Sequence, residues 1–375
     1  MKICIIVRIL WPGGVQRIAF AEAEGLSKLG NAVDLIFIRG TNKYIYRYSI
    51  DYKVMYPNDI SKRILGRVFK RVTMHYMPQR GEEATVDMDL IYKTEHNLRK
   101  KYDIIYYFDE FSAFFQKYNK NRNKNKTVVL IHEVSLFSGS KLSKYVQEKA
   151  IKNSDVVLTN TKENLDLLIK FGIENAYEVY PGLILHDAIP DFDSRENIAI
   201  SVTMWDFGRK PEILFEIAKR IKEGKIIIAG SWASNNYLNE FRNTVSAAGL
   251  NERLIITGPI DESELVGLYK KAKISIGFGY DERGPGMGNL ESLAWGIPLI
   301  INYGIGIKEI IKNNVNGYIV AEDDFENVAN MIVKLFNEKE TWSEIRNNNI
   351  NLAKNFSWDN HNFKLNSIFQ KLITK

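Results

Sequence analysis

Short runs of β-branched and aromatic residues, each followed by a helical pattern, recur along this chain, and midway the series begins again. The first series is KICIIV (2–7), AVDLIFI (32–38), DIIYYF (103–108), TVVLI (127–131) and DVVLTN (155–160). None alternates strictly between apolar and polar residues, so each reads as a parallel strand covered on both faces. Helical segments lie between them. In GGVQRIAFAEAEGLSKLG (13–30), Ile18, Ala21, Gly25 and Leu29 mark one face. After YPGLILHDAIP (180–190) come IAISVT (198–203), KIIIAG (225–230), LIITG (254–258), KISIGF (273–278), IPLII (297–301) and GYIV (317–320). Alternation of this kind builds doubly wound α/β sheets, and 375 residues are enough for two such domains. No sequence repeat relates the two series. Three helical stretches close the chain, the last at 358–375.

Charge and cysteine content narrow the setting. A net charge of +6 suits an acidic small molecule or an anionic surface and argues against a nucleic-acid partner. Cys4, the single cysteine, excludes an internal disulfide, and zinc-ligand spacing is absent, which fits a reducing cytoplasmic setting. No apolar run approaches the ~18 residues of a membrane span. The opening MKICIIVRILWPGG is interrupted by Arg8 and lacks a small-residue cleavage site, so it reads as a first buried strand.

GFGYDERGPGMGNLESLAWG (277–296) is rich in glycine and then turns helical around Glu291. A glycine loop entering a helix start offers bare backbone amides and a positive dipole end, which together attract phosphate. Gly286, Met287, Gly288 and Asn289 occupy that start, while the charge of Glu291 also suits the helix dipole by itself. WPGGVQ (11–16) places Gly13 and Gly14 in the matching loop of the first domain, either to permit a tight turn or to let backbone approach a ligand. It is not the dinucleotide fingerprint, since G-x-G-x-x-G is missing. WDFGRKPE (205–212) sets Arg209 and Lys210 beside a helix start, as surface cations or as partners of a diphosphate. VVLIHEVS (128–135) puts His132 at a strand end, as a structural group or as a donor or general acid.

In this order, these segments resemble retaining glycosyltransferases of the family 4 type, over nearly the whole chain. The matching pieces are GGVQRIAFAEAEGLSKLG, SDVVLTNTKENLDLLIKFG (154–172), VYPGL (179–183), TGPIDESELVGLYKKAKISI (257–276), LESLAWGIPLI (290–300), NGYIV (316–320) and FSW (356–358). The resemblance implies the GT-B fold, two Rossmann-like domains facing each other across a cleft. It places an acceptor domain at 1–185, with helix 358–375 packing back on it, and a nucleotide-sugar domain at 186–357. It also implies roles. Glu291 resembles the glutamate that bonds the nucleotide ribose, and Lys210 the lysine on the diphosphate with Arg209 beside it. His132 resembles the histidine near the transferred sugar, Gly14 the glycine facing the diphosphate, and Ile260 the backbone contact to the base. Such sites typically work without a metal or other cofactor; the donor is a nucleoside-diphosphate-sugar, carrying UDP or GDP, and the acceptor a glycan or lipid-linked precursor.

Two positions depart from the family pattern. Arg283 stands where a glutamate usually holds the donor sugar, and Glu282 replaces it only if the loop is one residue longer. Met204 stands where an arginine usually meets the diphosphate, so that charge falls to Arg283 or Arg209. A nucleotide-sugar-binding protein without turnover, and a sugar-nucleotide epimerase, are therefore the alternatives to a transferase. ISKRILGRVFKRVTMHYM (60–77) is a basic amphipathic pattern that fits either peripheral attachment to an anionic membrane or a helix packed on the first domain. YYFDEFSAFF (106–115) offers aromatic faces for an acceptor sugar or for the core.

Overall fold

A strand that is apolar on both faces must be covered on both, and parallel strands need crossovers long enough to supply the cover. The computed structural model shows this twice. It describes every residue except 11–12, 41–47, 57–87, 99–100, 120–123, 135, 137–140, 281–282, 322 and 375. The basic segment 60–77 and Glu282 therefore lie outside the described residues. Two compact units result: Met1–Gly182 with Trp358–Lys375, and Leu183–Ser357.

The first unit holds β1 (Lys2–Leu10), α1 (Gly14–Lys28), β2 (Ala32–Gly40), β3 (Tyr52–Tyr56), α2 (Met88–Asn97), β4 (Ile104–Tyr107), β5 (Lys126–Ile131), α3 (Lys141–Lys152), β6 (Val156–Thr159), α4 (Lys162–Lys170) and β7 (Ala176–Glu178). Its seven strands are ordered β3-β2-β1-β4-β5-β6-β7 among the described residues. All pair in parallel, with Ile5 opposite Leu35 on one side and Tyr106 on the other. The chain starts in the middle of the sheet, runs outward to β3, then returns to β4 and runs the other way. The strand order reverses between β1 and β4, the point at which open α/β sheets take their ligands.

The second unit repeats the plan with β8 (Glu196–Val202), α5 (Glu212–Ala218), β9 (Lys225–Ala229), α6 (Asn235–Ala247), β10 (Leu254–Gly258), α7 (Glu262–Lys271), β11 (Ala272–Gly277), α8 (Met287–Ala294), β12 (Leu299–Asn302), β13 (Gly317–Val320), α9 (Phe325–Asn337) and α10 (Lys339–Ala353). Its parallel order is β10-β9-β8-β11-β12-β13, with the reversal between β8 and β11. Side-chain caps set several helix starts: Thr161 for α4, Ser234 for α6, and Asp261 with Glu264 in a reciprocal capping box for α7. The segment after Leu183 is tied to this unit by two arginines. Arg195 donates to the carbonyls of Tyr269, Ala272 and Trp295, and Arg346 to those of Ile189 and Pro190.

The last helix, α11 (Trp358–Thr374), belongs to the first unit and lies against α1. Gly25, in the last turn of α1, gives it room: a Cβ there would lie 2.0 Å from Asn362 Nδ2. Beside this contact the buried His361 ring sits between the Tyr180 carbonyl oxygen, 2.5 Å from Nδ1, and Glu22 Oε1, 2.9 Å from Nε2. Nδ1–H donates to the carbonyl, and Nε2 faces the carboxylate. Asn31 Nδ2 donates to Asn366 Oδ1 at 2.9 Å, and Tyr106 meets Phe369 edge to face. Replacing His361 by Phe leaves the Glu22 carboxylate buried without this partner. The expected loss is about 3–5 kcal/mol, read as a lower urea midpoint with the far-ultraviolet dichroism of the folded state kept below it.

Candidate functional site

In the second unit, the loops after β8 and β11 leave the sheet on either side of the strand-order reversal. The β8 loop is shaped by Asp206, whose Oδ1 accepts the amides of Gly208 at 2.9 Å and Arg209 at 3.0 Å. The turn ends at Lys210, which takes a left-handed backbone, φ 42°, immediately before Pro211. A side chain rarely adopts that conformation, and holding it costs of order 1–3 kcal/mol. Its Nζ lies 3.8 Å from the ring centroid of Tyr280 in the β11 loop, a cation–π contact. The ammonium thus bridges the two loops that flank the reversal. Ile260 follows β10 along the same edge, next to the Asp261 cap.

The β11 loop packs closely on the loop after β12, and glycines of that second loop give it room. A Cβ on Gly304 would lie 2.2 Å from the Gly279 carbonyl oxygen, and one on Gly306 2.2 Å from that of Arg283. Asn302 clamps the same loop, accepting the Gly279 amide at 2.9 Å and donating to its carbonyl at 2.7 Å. Gly286 caps α8 with φ 72° and no side-chain cap. Its carbonyl takes the amides of Asn289 and Leu290, which leaves those of Met287 and Gly288 to other partners. Gly288 is glycine for a further reason: a Cβ would lie 2.3 Å from the Val202 carbonyl oxygen of β8. Asn289 is buried, and its side-chain amide donates back to the Pro285 carbonyl.

The helix starts at Met287, and this puts Glu291 in the second turn. Its Oε2 accepts a 2.8 Å hydrogen bond from the hydroxyl of Tyr269, a buried residue of α7. Tyr269 was not among the sequence-level candidates; within its helix it carries the signature of a core aromatic. It fixes the carboxylate that the resemblance assigns to the ribose. Arg283 is half-buried, with its carbonyl packed on Gly306.

The first unit carries its own candidates. Gly13 is extended, φ −166°, and Gly14 opens α1, so the turn itself does not demand glycine at position 13. His132 stands one residue beyond β5, and its Nε2–H donates to the Phe108 carbonyl at 2.8 Å. That bond fixes the tautomer and leaves Nδ1 as the lone-pair nitrogen. Burial pushes the imidazole below its ordinary range, against the upward pull of Asp109. The loop is pinned by Asn164 of α4, fully buried, which donates to the His132 carbonyl and accepts the Val134 amide, each at 3.1 Å. Asn164 is a positioning residue that no sequence motif announces.

Residues 185–352, nearly all of the second unit, match the family model of glycosyl transferases group 1. The second unit belongs to that family. Over 259 residues the chain is 20% identical to a poly(ribitol-phosphate) alpha-N-acetylglucosaminyltransferase of Staphylococcus aureus, covering 66% of this chain and 51% of the relative. Over 258 residues it is 23% identical to a D-inositol 3-phosphate glycosyltransferase of Corynebacterium efficiens, covering 63% and 61%. The chain thus spans about half the length of these curated relatives. Among solved structures, Anabaena Alr3699/HepE in complex with UDP-glucose is similar at a TM-score of 0.73 and 15% identity, over 99% of this chain and all of that one. A sucrose-phosphate synthase of Thermosynechococcus elongatus gives 0.76 at 14% identity, over 100% and 99%. The likeness is one of fold, and the two Rossmann-like units are those of GT-B.

Two outcomes test this description. Gly288→Ala forces α8 away from β8, at an expected cost of about 1–3 kcal/mol, measured as a fall in denaturation midpoint. For His132, whose folded-state value lies below that of the unfolded chain, the stabilising contribution is complete above about pH 6.5 and is lost as pH falls toward the lowered value. His132→Gln therefore flattens the acid side of the stability–pH curve. A curve of unchanged slope below pH 6.5 contradicts the buried neutral ring.

Proposed function

We propose that this chain is a retaining glycosyltransferase that moves a sugar from a nucleoside-diphosphate-sugar to an acceptor hydroxyl. One observation carries the reading. At the strand-order reversal of the second unit, the Lys210 ammonium and the α8 start, which has no side-chain cap, lie on the flanking loops, with the tyrosine-held Glu291 carboxylate in the next turn. An anion is met by the first two and a ribose diol by the third. Ile260 offers backbone to the base; in the first unit, the Gly13–Gly14 start of α1 offers amides to an anion. Lys210 exchanges Tyr280 for the diphosphate, with Arg209 as the second cation, so the leaving charge is met by protein groups rather than a metal ion. Arg283 and the neighbouring Glu282 position read the transferred sugar. In the first unit, His132 offers Nδ1 as an acceptor to a sugar hydroxyl.

The chemical step breaks the bond between the anomeric carbon and the diphosphate oxygen, whose electron pair leaves with the nucleotide. The acceptor oxygen bonds the same carbon from the same face, and its proton passes to the departing phosphate. Prearranged donors around that phosphate stabilise the developing charge without reorganisation. A UDP-sugar is the proposed donor, supported by the UDP-glucose complex of Anabaena Alr3699/HepE. The names of the relatives from Staphylococcus aureus and Corynebacterium efficiens, with that of a poly(glycerol-phosphate) alpha-glucosyltransferase of Bacillus subtilis, favour a phosphorylated polyol or glycan as acceptor.

Arg283 in place of a glutamate favours a second reading, a donor-binding protein without turnover. Incubation with UDP-glucose and UDP-N-acetylglucosamine separates the two. The transferase releases UDP, and Lys210→Ala lowers that rate about 10²-fold, while Glu291→Gln chiefly weakens UDP binding. Tight UDP-sugar binding with no UDP release, with or without polyol phosphates, identifies the binding protein. Unaltered turnover in both variants removes Lys210 and Glu291 from the site.

A further inference from the structure

The proposed chemistry uses His132 but leaves over two charged side chains beside it. Arg8 lies near the end of β1 and Asp109 two residues beyond β4, the two strands between which the order of the first sheet reverses. Arg8 interrupts a strand whose Ile3–Val7, Ile9 and Leu10 are all buried. Its side chain is 18% exposed, and that of Asp109 15%. The contact between them, Nε to Oδ2, is 3.6 Å, an ion pair too long for a hydrogen bond. The buried Nε and Nη1 of Arg8 have no hydrogen-bond partner among the described residues, and the guanidinium lies over the Phe111 ring, 5.2 Å from its centroid. Asp109 is held in place through its other oxygen, Oδ1, which accepts the Ser112 amide at 2.6 Å.

Buried donors are seldom left unpaired in a native protein, and a site that leaves them so awaits a ligand or water. The chemistry of the edge selects the ligand. An anion gains from Arg8 but is repelled by Asp109, 3.6 Å from that guanidinium, and the negative field of Asp109 and Glu22 already reaches His132. A cation gains from Asp109 but meets Arg8. A polyol suits both, because every hydroxyl accepts from one group and donates to another. Along this edge stand a guanidinium that donates, a carboxylate that accepts and, within their electrostatic reach, an imidazole whose Nδ1 accepts.

We infer that Arg8 and Asp109 form a subsite for adjacent sugar hydroxyls and determine which sugar the first unit accepts. The inference rests on the transferase reading for bringing a sugar to this edge; the unmatched donors and acceptor are independent of it. The sugar has two sources, the acceptor or the transferred residue of the donor.

The test compares the whole chain with Arg8→Met and Asp109→Asn. Saturation-transfer NMR reports binding of methyl α-glucopyranoside, methyl α-galactopyranoside, methyl α-mannopyranoside and methyl N-acetyl-α-glucosaminide. Calorimetry reports the ratio of UDP-glucose to UDP affinity. An acceptor subsite gives methyl-glycoside binding that weakens at least tenfold in both variants. A donor-sugar subsite gives instead a UDP-glucose preference over UDP that falls at least tenfold in both. Wild-type values of both readouts in the variants overturn the inference. So does a wild-type chain that binds none of the glycosides and prefers UDP-glucose no more than UDP. If Arg8→Met fails to fold, Asp109→Asn decides alone, since it keeps the side-chain shape. A chain that binds neither UDP nor UDP-glucose sinks the transferase reading, while the methyl-glycoside arm still decides the subsite.

Discussion

Parallel pairing is the constraint from which the rest follows. Every strand of both sheets points the same way as its neighbours, so every crossover must return to the amino edge, and every loop toward a following helix leaves from the carboxyl edge. Chemistry-bearing residues far apart in sequence are thereby delivered to one rim in each unit. Lys210, Tyr280, Ile260 and the α8 start share one such rim; Arg8, Asp109, His132 and the α1 start share the other. The reversal of strand order parts two crossovers to opposite faces, and between them the rim has space.

The backbone plan was legible because its strands are short, β-branched and apolar on both faces, a pattern few other elements carry. The two strands that escaped are edge strands. YKVMY is exposed or half-buried throughout and so lacks the buried apolar run of the inner strands, and β7 is three residues long, too short for any periodicity. The site was legible in its glycines and charges but not in its supports. The hydroxyl of Tyr269 and the amide of Asn164 do their work through contacts 22 and 32 residues distant in sequence, to Glu291 and to the His132 loop. Nothing local distinguishes such a tyrosine from a core aromatic, or such an asparagine from a helix-surface one.

Glycine gave the least direct signal. The dense run at 277–288 suggested backbone laid bare for phosphate, and Gly286 does take the left-handed conformation that lets α8 begin without a side-chain cap. Yet Gly288 answers first to the Val202 carbonyl, and Gly279 to the neighbouring loop at Gly304 and Ile305. A single residue type serves close packing and ligand approach together, so the sequence reports that backbone is near something without saying what. Lys210 is the reverse case. Its strained backbone is invisible in sequence, yet it holds the ammonium against Tyr280.

The Glu22–His361 clasp joins residues 339 positions apart. During synthesis, α1 leaves the ribosome long before its partner helix is made, and the whole second unit emerges in the interval. Until residues 358–374 follow, the α1 surface around Gly25 and Glu22 is without its native cover. A nascent first unit is therefore complete only with the last stretch of chain, whereas the second is continuous from Leu183 to Ser357 and has all its elements before that stretch is made.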